Sequence, residues 1–241
     1  MKVEAIKTRI FKENEDLTSF ILRYVKKIPE NSVLVVTSKI VAISEGRVVG
    51  YKNAKEKNRQ KVALIKQESD FALKTKITWL TIKDGIVMAS AGIDESNAGG
   101  KLILLPKNSF HSAEILRKKL MQKFKLKNLG VLITDSMLFP LRAGIVGGAV
   151  GYAGFQGVRN YIGKKDIFKR KLKMSKTDVA DSLATTAVLC MGEGSEQQPL
   201  AIITQAPIVF TKKVNTRELV IDPKKDIYAP LFTKLYAKRK K

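Results

Sequence analysis

The sequence predicts an α+β fold, because segments with helical patterning and segments with strand patterning are mixed along the chain. Residues 17–28 place apolar side chains at helical spacing and form one wide apolar stripe. Residues 33–43, VLVVTSKIVAI, are β-branched and apolar on both faces, which favours a buried strand. Residues 77–90 contain two β-rich runs joined through Lys-Asp-Gly at 83–85, and Asp-Gly between such runs predicts a hairpin.

The second half of the chain continues the mixed pattern. Residues 112–124 read as an amphipathic helix, and residues 129–135, LGVLITD, read as an apolar strand. Glycines then recur between residues 144 and 157, where they allow either close packing of elements or close approach of the backbone to phosphates. A late helix is expected to be capped at Ser175 and to carry Cys190 on its apolar side, which predicts a core position for that cysteine.

The size and composition fit one large catalytic region over residues 1–241, organised as a single unit or as two interlocked subdomains of about 1–160 and 161–241. The chain has 241 residues and 44% hydrophobic content, enough to bury a substantial core. The first residues lack the apolar run of a secretory signal, and no run of about 18 apolar residues follows. We therefore expect a soluble cytoplasmic protein without a membrane segment.

The charge is the unusual bulk property. Lysine and arginine number 45 against 22 acidic residues, a formal net charge of +23. Such an excess favours anionic partners, which include nucleotides, polycarboxylates, nucleic acids and membrane surfaces. The basic residues are spread along the chain, apart from the terminal KRKK at 238–241, and no basic stretch alternates with aromatic residues that would stack on bases. Nucleic-acid binding is therefore the minority hypothesis.

Three oxygen-rich turns follow apolar elements. They are Asp94 to Asn97, Asp135 with Ser136, and Glu193. If they converge, their carboxylates suit Mg²⁺ or Mn²⁺; taken singly, each is equally explained as a turn former or helix cap. Neither the dinucleotide-binding nor the P-loop glycine pattern occurs, so a nucleotide site must be built in another way. A catalytic triad would have to use His111, the only histidine of the chain.

Several motifs, in this order, resemble those of the CofE family, the GTP-dependent coenzyme F420:L-glutamate ligases. The resemblance covers about residues 2–204 and rests on VVTSKIVAISEGRVV, SAGIDESN, LGVLITDS, YIGKKDIF, VADSLA and MGEG. Within the family, Pro-Leu-Arg at 140–142 and Gly-Tyr-Ala-Gly-Phe at 151–155 are similar to a branch assigned to folate metabolism. The resemblance implies a CofE-like fold and an intertwined homodimer whose active sites lie near the dimer interface.

The resemblance also implies three groups of site residues. The catalytic residues would be Asp94, Asp135 and Arg142. The nucleotide, GTP, would contact Ser38, Lys39, Asn97, Gly192, Gly194 and Ser195. The metal ions, Mg²⁺ or Mn²⁺, would be bound by Asp94, Asp135, Ser136 and Glu193.

The implied reaction joins two anionic reactants. An acceptor carboxylate would attack the γ-phosphate of GTP to give an acyl phosphate, which the amine of L-glutamate would displace. Two divalent ions would neutralise charge on the phosphates and hold the attacking and leaving oxygens in line. Lys39 would add a point charge and Arg142 a planar fork, although both residues also fit ordinary surface positions.

Two positions depart from the pattern of the coenzyme F420 ligases. Phe139 stands where those ligases tend to have arginine, and Ile43 stands where they have lysine. The loss of two cations favours a folate-type acceptor over a coenzyme F420-type acceptor, whose side chain carries a phosphodiester. The alternative from another class is a non-catalytic protein that binds anions or nucleic acid and keeps only the ligase fold.

Overall fold

The computed structural model describes residues 1–231, so the terminal KRKK lies outside the described residues. Within residues 1–231 the strands are β1 (Lys2–Ile6), β2 (Ser32–Thr37), β3 (Val48–Gly50), β4 (Phe71–Lys74), β5 (Trp79–Lys83), β6 (Ile86–Ala89), β7 (Lys101–Ile103), β8 (Leu129–Met137), β9 (Val146–Ala153), β10 (Val158–Asn160), β11 (Lys176–Asp178) and β12 (Leu200–Thr204). The α-helices are α1 (Leu17–Tyr24), α2 (Ser38–Ser44), α3 (Ala54–Glu68), α4 (Ser109–Phe124) and α5 (Val179–Met191). The predicted α+β class with mixed sheets and packed helices is confirmed.

A five-stranded sheet with the order β1-β12-β2-β8-β9 forms the centre of the fold. Strands β2 and β8 run parallel, and the other neighbours are antiparallel. Alternate residues of β2 face opposite sides: Leu34 packs into a core with α1 and α4, and Val35 packs into a core with α5. Because both faces are covered, the apolar character of β2 is continuous, as expected for a strand buried on both sides.

The central sheet joins sequence-distant parts of the chain. Strand β12 lies between β1 and β2, so residues 200–204 pair with two strands from the first 37 residues. The division into subdomains at about residue 160 stays a prediction. Within residues 1–231, no helix has both the length and the apolar character that are needed to cross a bilayer.

A smaller lobe carries one of the oxygen-rich turns. It contains α3, the three-stranded sheet β4-β5-β6 and the β3-β7 pair. Ile65 of α3 and Leu102 of β7 belong to its small buried core. The hairpin predicted at residues 83–85 is confirmed, because β5 and β6 pair across it. The backbone of Asp94 exchanges two hydrogen bonds of 2.9 Å with Ile103, so the turn at 94–97 begins from a fixed point of this lobe.

The glycines of β9 serve close packing. A Cβ atom on Gly147 would lie 2.4 Å from the carbonyl oxygen of Ala184 in α5, and one on Gly151 would lie 2.5 Å from the carbonyl carbon of Ser109 in α4. Both distances are shorter than any van der Waals contact, so side chains there would push the helices off the strand. Of the two interpretations that the sequence left open, packing accounts for both glycines.

Several local predictions are wrong. The run at 33–43 is a strand only to Thr37, and helix α2 begins at Ser38; a short apolar run has no period that separates a strand from a buried helix. Helix α5 is capped by Asp178, whose carboxylate accepts a 2.9 Å bond from the N–H of Asp181, and not by Ser175. Cys190 is exposed, so its predicted place in the core is wrong as well.

Candidate active site

The candidate site begins where β2 ends at Thr37 beside β8, which continues to Met137. The two strands are parallel and in register up to the pair of Thr37 and Thr134, so the next residues, Ser38 and Asp135, emerge at the same edge of the sheet. The hydroxyl of Ser38 donates a 2.9 Å hydrogen bond to Oδ1 of Asp135. Ser38 is buried and Asp135 is partly buried, which makes this contact the floor of the site.

The turn at 94–97 reaches this edge from the smaller lobe. Nζ of Lys39, in the first turn of α2, lies 2.7 Å from Oδ2 of Asp94 and donates a 2.8 Å bond to the carbonyl oxygen of Ser96. The backbone N–H of Ser96 donates a 2.7 Å bond to Oδ1 of Asp94. Both carboxylate oxygens of Asp94 therefore have partners, and the turn is attached to α2.

The turn after α5 closes the site from the other side. Gly192 ends the helix with φ +81°, a left-handed conformation that glycine adopts without strain. The hydroxyl of Ser136 lies 3.0 Å from both carboxylate oxygens of Glu193. The side-chain amide of Asn97 donates a 3.1 Å bond to the carbonyl oxygen of Gly194.

These contacts form a closed ring of four chain segments. Helix α2 contacts the 94–97 turn, that turn contacts the 192–196 turn, the latter contacts the end of β8, and β8 returns to α2. We call this set the contact ring, and its members are Ser38, Lys39, Asp94, Asn97, Asp135, Ser136, Glu193 and Gly194. The structure thus brings together residues that the sequence places up to 156 positions apart, the separation between Ser38 and Gly194.

The two aspartates of the contact ring have opposite electrostatic environments. Burial acts against the charged form of Asp94, but the Lys39 ammonium and the hydrogen bonds from Ser96 outweigh it and lower the pKa of Asp94. Burial raises the pKa of Asp135 to about 7, and the nearby charge of Asp94 adds to this rise, against the opposing hydrogen bonds from Ser38 and Ser136. The contact ring therefore contains one carboxylate, Asp94, whose negative charge is balanced by a lysine. The other, Asp135, has too little positive charge nearby to stabilise its ionised form.

Three of the predicted site residues are not members of the contact ring: Gly192, which ends α5, Arg142 and Ser195. Arg142 is exposed in the 138–145 loop, and its side chain makes no hydrogen bond or ion pair within residues 1–231. Ser195 is exposed in the 192–196 turn, where the described part of the chain offers its hydroxyl no hydrogen bond. Their roles as catalytic and nucleotide-binding residues stay predictions.

Sequence reasoning missed the cations behind the 94–97 turn. Lys57 and Lys61 of α3 both pair with Glu95, the residue next to Asp94. The available signal was the spacing of the two lysines, four apart on one helical face. That spacing does not indicate which residue the lysines pair with. Glu95 lies 34 and 38 positions away from them, so the contact could not be derived from the sequence.

The side chains of the contact ring fit a hard divalent cation in type. Asp94, Asp135, Glu193 and the Ser136 hydroxyl offer only oxygen donors, the ligands that Mg²⁺ and Mn²⁺ prefer. Within residues 1–231, no three acidic, histidine or cysteine side chains are close enough to hold a metal ion by themselves. Mg²⁺ in nucleotide sites is usually bound by one or two carboxylates together with phosphate oxygens, so a preformed cage is not required.

Comparison with known proteins agrees with the motifs around this ring. The model of a protein family described as F420-0:Gamma-glutamyl ligase matches residues 5–205. The chain belongs to the F420-0:gamma-glutamyl ligase family. This confirms the family that the motifs predicted and makes the protein a member of a family of ligases. The matched range includes every member of the contact ring.

Relatives of this family are similar over nearly the whole chain. The coenzyme F420:L-glutamate ligase of Methanococcus maripaludis (strain C6 / ATCC BAA-1332) is 32% identical over 95% of this chain and 97% of its own length. The ligase of the same name from Methanocaldococcus jannaschii is 33% identical over 94% of this chain and 97% of its own length. The ligase of the same name from Archaeoglobus fulgidus is 32% identical over 80% of this chain and 83% of its own length. These names give the non-catalytic alternative no support.

Proposed function

We propose that the protein is a GTP- and divalent-metal-dependent γ-glutamyl ligase that joins L-glutamate to a folate-type or coenzyme F420-type acceptor. The observation that carries this proposal is the contact ring, where four segments gather oxygen donors and a lysine at the carboxyl edge of β2 and β8. Ligands of open α/β sheets bind at such edges. We expect the reaction to take place in the cytoplasm, where GTP is present.

In this proposal Asp94, Asp135, Ser136 and Glu193 hold Mg²⁺ or Mn²⁺, while Ser38, Lys39 and Asn97 face the nucleotide. When bound, the metal supplies positive charge that lets an anionic acceptor approach the phosphates. The raised pKa of Asp135 supports this assignment, because a carboxylate short of positive charge is stabilised by a nearby cation. Gly192, Gly194 and Ser195 provide the turn that closes against the phosphates.

The proposed reaction has two steps. An oxygen of the acceptor carboxylate attacks the γ-phosphorus of GTP, the bond from that phosphorus to the bridging oxygen breaks, and GDP leaves with the electron pair. The neutral amine of L-glutamate then attacks the acyl carbon, inorganic phosphate leaves, and the amine proton passes to solvent. Lys39 and Arg142 are the cations of this chain that we assign to the phosphate and carboxylate groups.

Two observations point to different acceptors. The relatives carry the name coenzyme F420:L-glutamate ligase, which supports a coenzyme F420-type acceptor. Ile43 packs against the core of the central sheet, and Phe139 is 59% exposed in the 138–145 loop. Because both side chains are apolar, neither supplies a cation for the phosphodiester of that acceptor. The second observation favours a folate-type acceptor, and we keep both in the assay.

We also propose a homodimer. Two segments expose several large apolar side chains within the described residues. They are the 138–145 loop with Leu138, Phe139, Leu141 and Ile145, and the loop between β10 and β11 with Ile162, Ile167, Phe168 and Met174. Exposed apolar side chains that are concentrated in this way, when they form one patch, are typical of protein contacts. Light scattering during size-exclusion chromatography tests the dimer, and a mass near 27 kDa would contradict it.

The test of the function is a ligation assay on purified protein with GTP, L-glutamate and either Mg²⁺ or Mn²⁺. Dihydropteroate, dihydrofolate and the unglutamylated coenzyme F420 precursor are offered in parallel, and mass spectrometry reports the glutamate adduct. We expect an adduct with one acceptor, reduced by about 10²- to 10³-fold in Asp135→Asn, as for the loss of one preorganised electrostatic group. No adduct with any acceptor, or full activity of Asp135→Asn, would contradict the proposal.

A further inference from the structure

A second group of charges lies behind the 94–97 turn, outside the contact ring. Nζ of Lys57 lies 2.6 Å from Oε2 of Glu95, and Lys61 pairs with Oε1 of the same carboxylate. The two lysines are four residues apart on α3 and so project from one face of the helix. Lys57 also lies 5.8 Å from the centroid of the Tyr51 ring. Each oxygen of Glu95 thus has its own cation from the smaller lobe.

Asp94 and Glu95 are neighbours in sequence but are held by different elements. Asp94 pairs with Lys39 of α2, whereas Glu95 pairs with Lys57 and Lys61 of α3. The backbone of Asp94 is fixed to Ile103 by its two hydrogen bonds. Beyond this fixed point, the turn is held by Lys39 and Gly194 on the side of the contact ring and by the Glu95 ion pairs on the side of α3. The Glu95 ion pairs are thus the contacts that attach this turn to α3.

A purely stabilising role is the simpler explanation for such a charge cluster. Exposed ion pairs contribute little to stability, with a median of about 0–1 kcal/mol. Glu95 is partly buried, with a side chain that is 33% exposed. Hydrogen bonds from Lys57 and then Lys61 lower the pKa of Glu95. The same lobe contains a matched carboxylate: Glu68 pairs with Arg47 at 2.6 Å and Lys83 at 3.2 Å, and its side chain is only 12% exposed.

We propose that Glu95 is a positioning residue, which together with Lys57 and Lys61 holds the 94–97 turn in the orientation that presents Asp94 and Asn97 to a metal–nucleotide complex. The inference rests on the proposed function and adds to it a residue outside the contact ring. Outer groups that orient metal ligands commonly change metal affinity by 10–100-fold when they are altered. Glu68 has the same kind of pairing but no contact with the turn, so it is the control.

The experiment compares Glu95→Gln with Glu68→Gln in the full-length protein. Hydrogen exchange of the 94–100 backbone is measured without ligand, Mn²⁺ affinity is measured by electron paramagnetic resonance with a non-hydrolysable GTP analogue, and thermal unfolding is recorded for both. We expect Glu95→Gln to speed exchange of the turn and weaken Mn²⁺ binding about tenfold with little change in melting temperature. We expect Glu68→Gln to lower the melting temperature and leave both other readouts unchanged.

A charge reversal tests the same point by rescue. Glu95→Lys alone is expected to impair the turn, and adding Lys57→Glu and Lys61→Glu is expected to restore slow exchange. The proposal is overturned if Glu95→Gln leaves hydrogen exchange of the turn and Mn²⁺ binding unchanged. It is also overturned if Glu95→Gln and Glu68→Gln both weaken Mn²⁺ binding in proportion to the stability that each loses. If turn exchange responds as expected but the wild type does not bind Mn²⁺ with the analogue, the positioning of the turn holds and the proposed function fails.

Discussion

Asp94 and Asp135 belong to the same contact ring, yet they differ in what supports them and in what neutralises them. Asp94 lies on a turn of the smaller lobe and has a lysine at 2.7 Å, and its pKa is lowered. Asp135 lies at the end of β8 in the central sheet, has the neutral Ser38 hydroxyl as its hydrogen-bond donor, and has a pKa of about 7. The fold therefore stabilises one carboxylate by itself and leaves the other to be stabilised by a bound cation.

This difference separates stability from function within one site. A desolvated carboxylate without a close cation costs folding free energy, and proteins tolerate that cost mainly where the group is needed for function. A carboxylate with its own lysine adds to stability in the usual way. Substitutions at the two positions should therefore change stability in opposite directions while both impair the ligase reaction.

The largest stability effect is expected for the matched variants Asp135→Asn and Asp94→Asn. The folded-state pKa of Asp135, about 7, lies above the ordinary value of 3.8, so the folded state loses stability as pH rises between these values. Asp135→Asn removes this loss and should melt at a higher temperature than the wild type at pH 8, with a difference that shrinks towards pH 4. Asp94→Asn should melt at a lower temperature at pH 8, because Lys39 loses its ion pair with the carboxylate.

Thermal unfolding across pH 4–8 checks this prediction without added metal. The Asp94→Asn deficit should instead persist at pH 4 and disappear only in more acidic solution, as the pH falls below the ordinary value of 3.8 and through the lowered pKa of Asp94, so the measurement is extended below pH 4. Equal melting curves for the two variants at pH 8, or a lower melting temperature of Asp135→Asn there, would show that the two carboxylates do not differ as described.

A smaller contrast is expected between the two serines of the contact ring. Ser38 is buried and donates to Asp135, so Ser38→Ala leaves that carboxylate with one donor fewer and should cost about 1.5–3 kcal/mol at pH 8. Ser136 is exposed, and water replaces its bond to Glu193 in Ser136→Ala, so the cost there should be under about 1 kcal/mol. Urea unfolding of both variants measures the two costs, and an equal cost would contradict the role assigned to Ser38.

Part of the fold and of the candidate site could be predicted from the sequence. The hairpin at 83–85 follows from Asp-Gly between two β-rich runs, a local signal that later packing did not overrule. The three oxygen-rich turns were recognisable because polar residues interrupt apolar elements there. The end of β2 at Thr37 was not predicted, because the short polar break at 37–39 is followed at once by a second apolar run, IVAI, whose pattern does not distinguish a strand from a buried helix.

The contacts between the turns lie beyond sequence reasoning. The pairing of Lys39 with Asp94 and of Ser136 with Glu193 depends on how β2 and β8 align and where α5 ends. The same holds for Glu95, whose partners come from a helix more than 30 residues earlier. A single sequence gives the residue types at each turn, whereas their distances depend on tertiary packing.

The most direct test of the central claim is binding of Mn²⁺ to the wild type and to Asp135→Asn, measured by electron paramagnetic resonance at pH 8 with and without a non-hydrolysable GTP analogue. We predict that the analogue tightens Mn²⁺ binding to the wild type, because phosphate oxygens complete the donor set, and that Asp135→Asn loses at least about tenfold in affinity. Equal Mn²⁺ affinity of the two proteins in the presence of the analogue would contradict the assignment of the contact ring as a metal–nucleotide site.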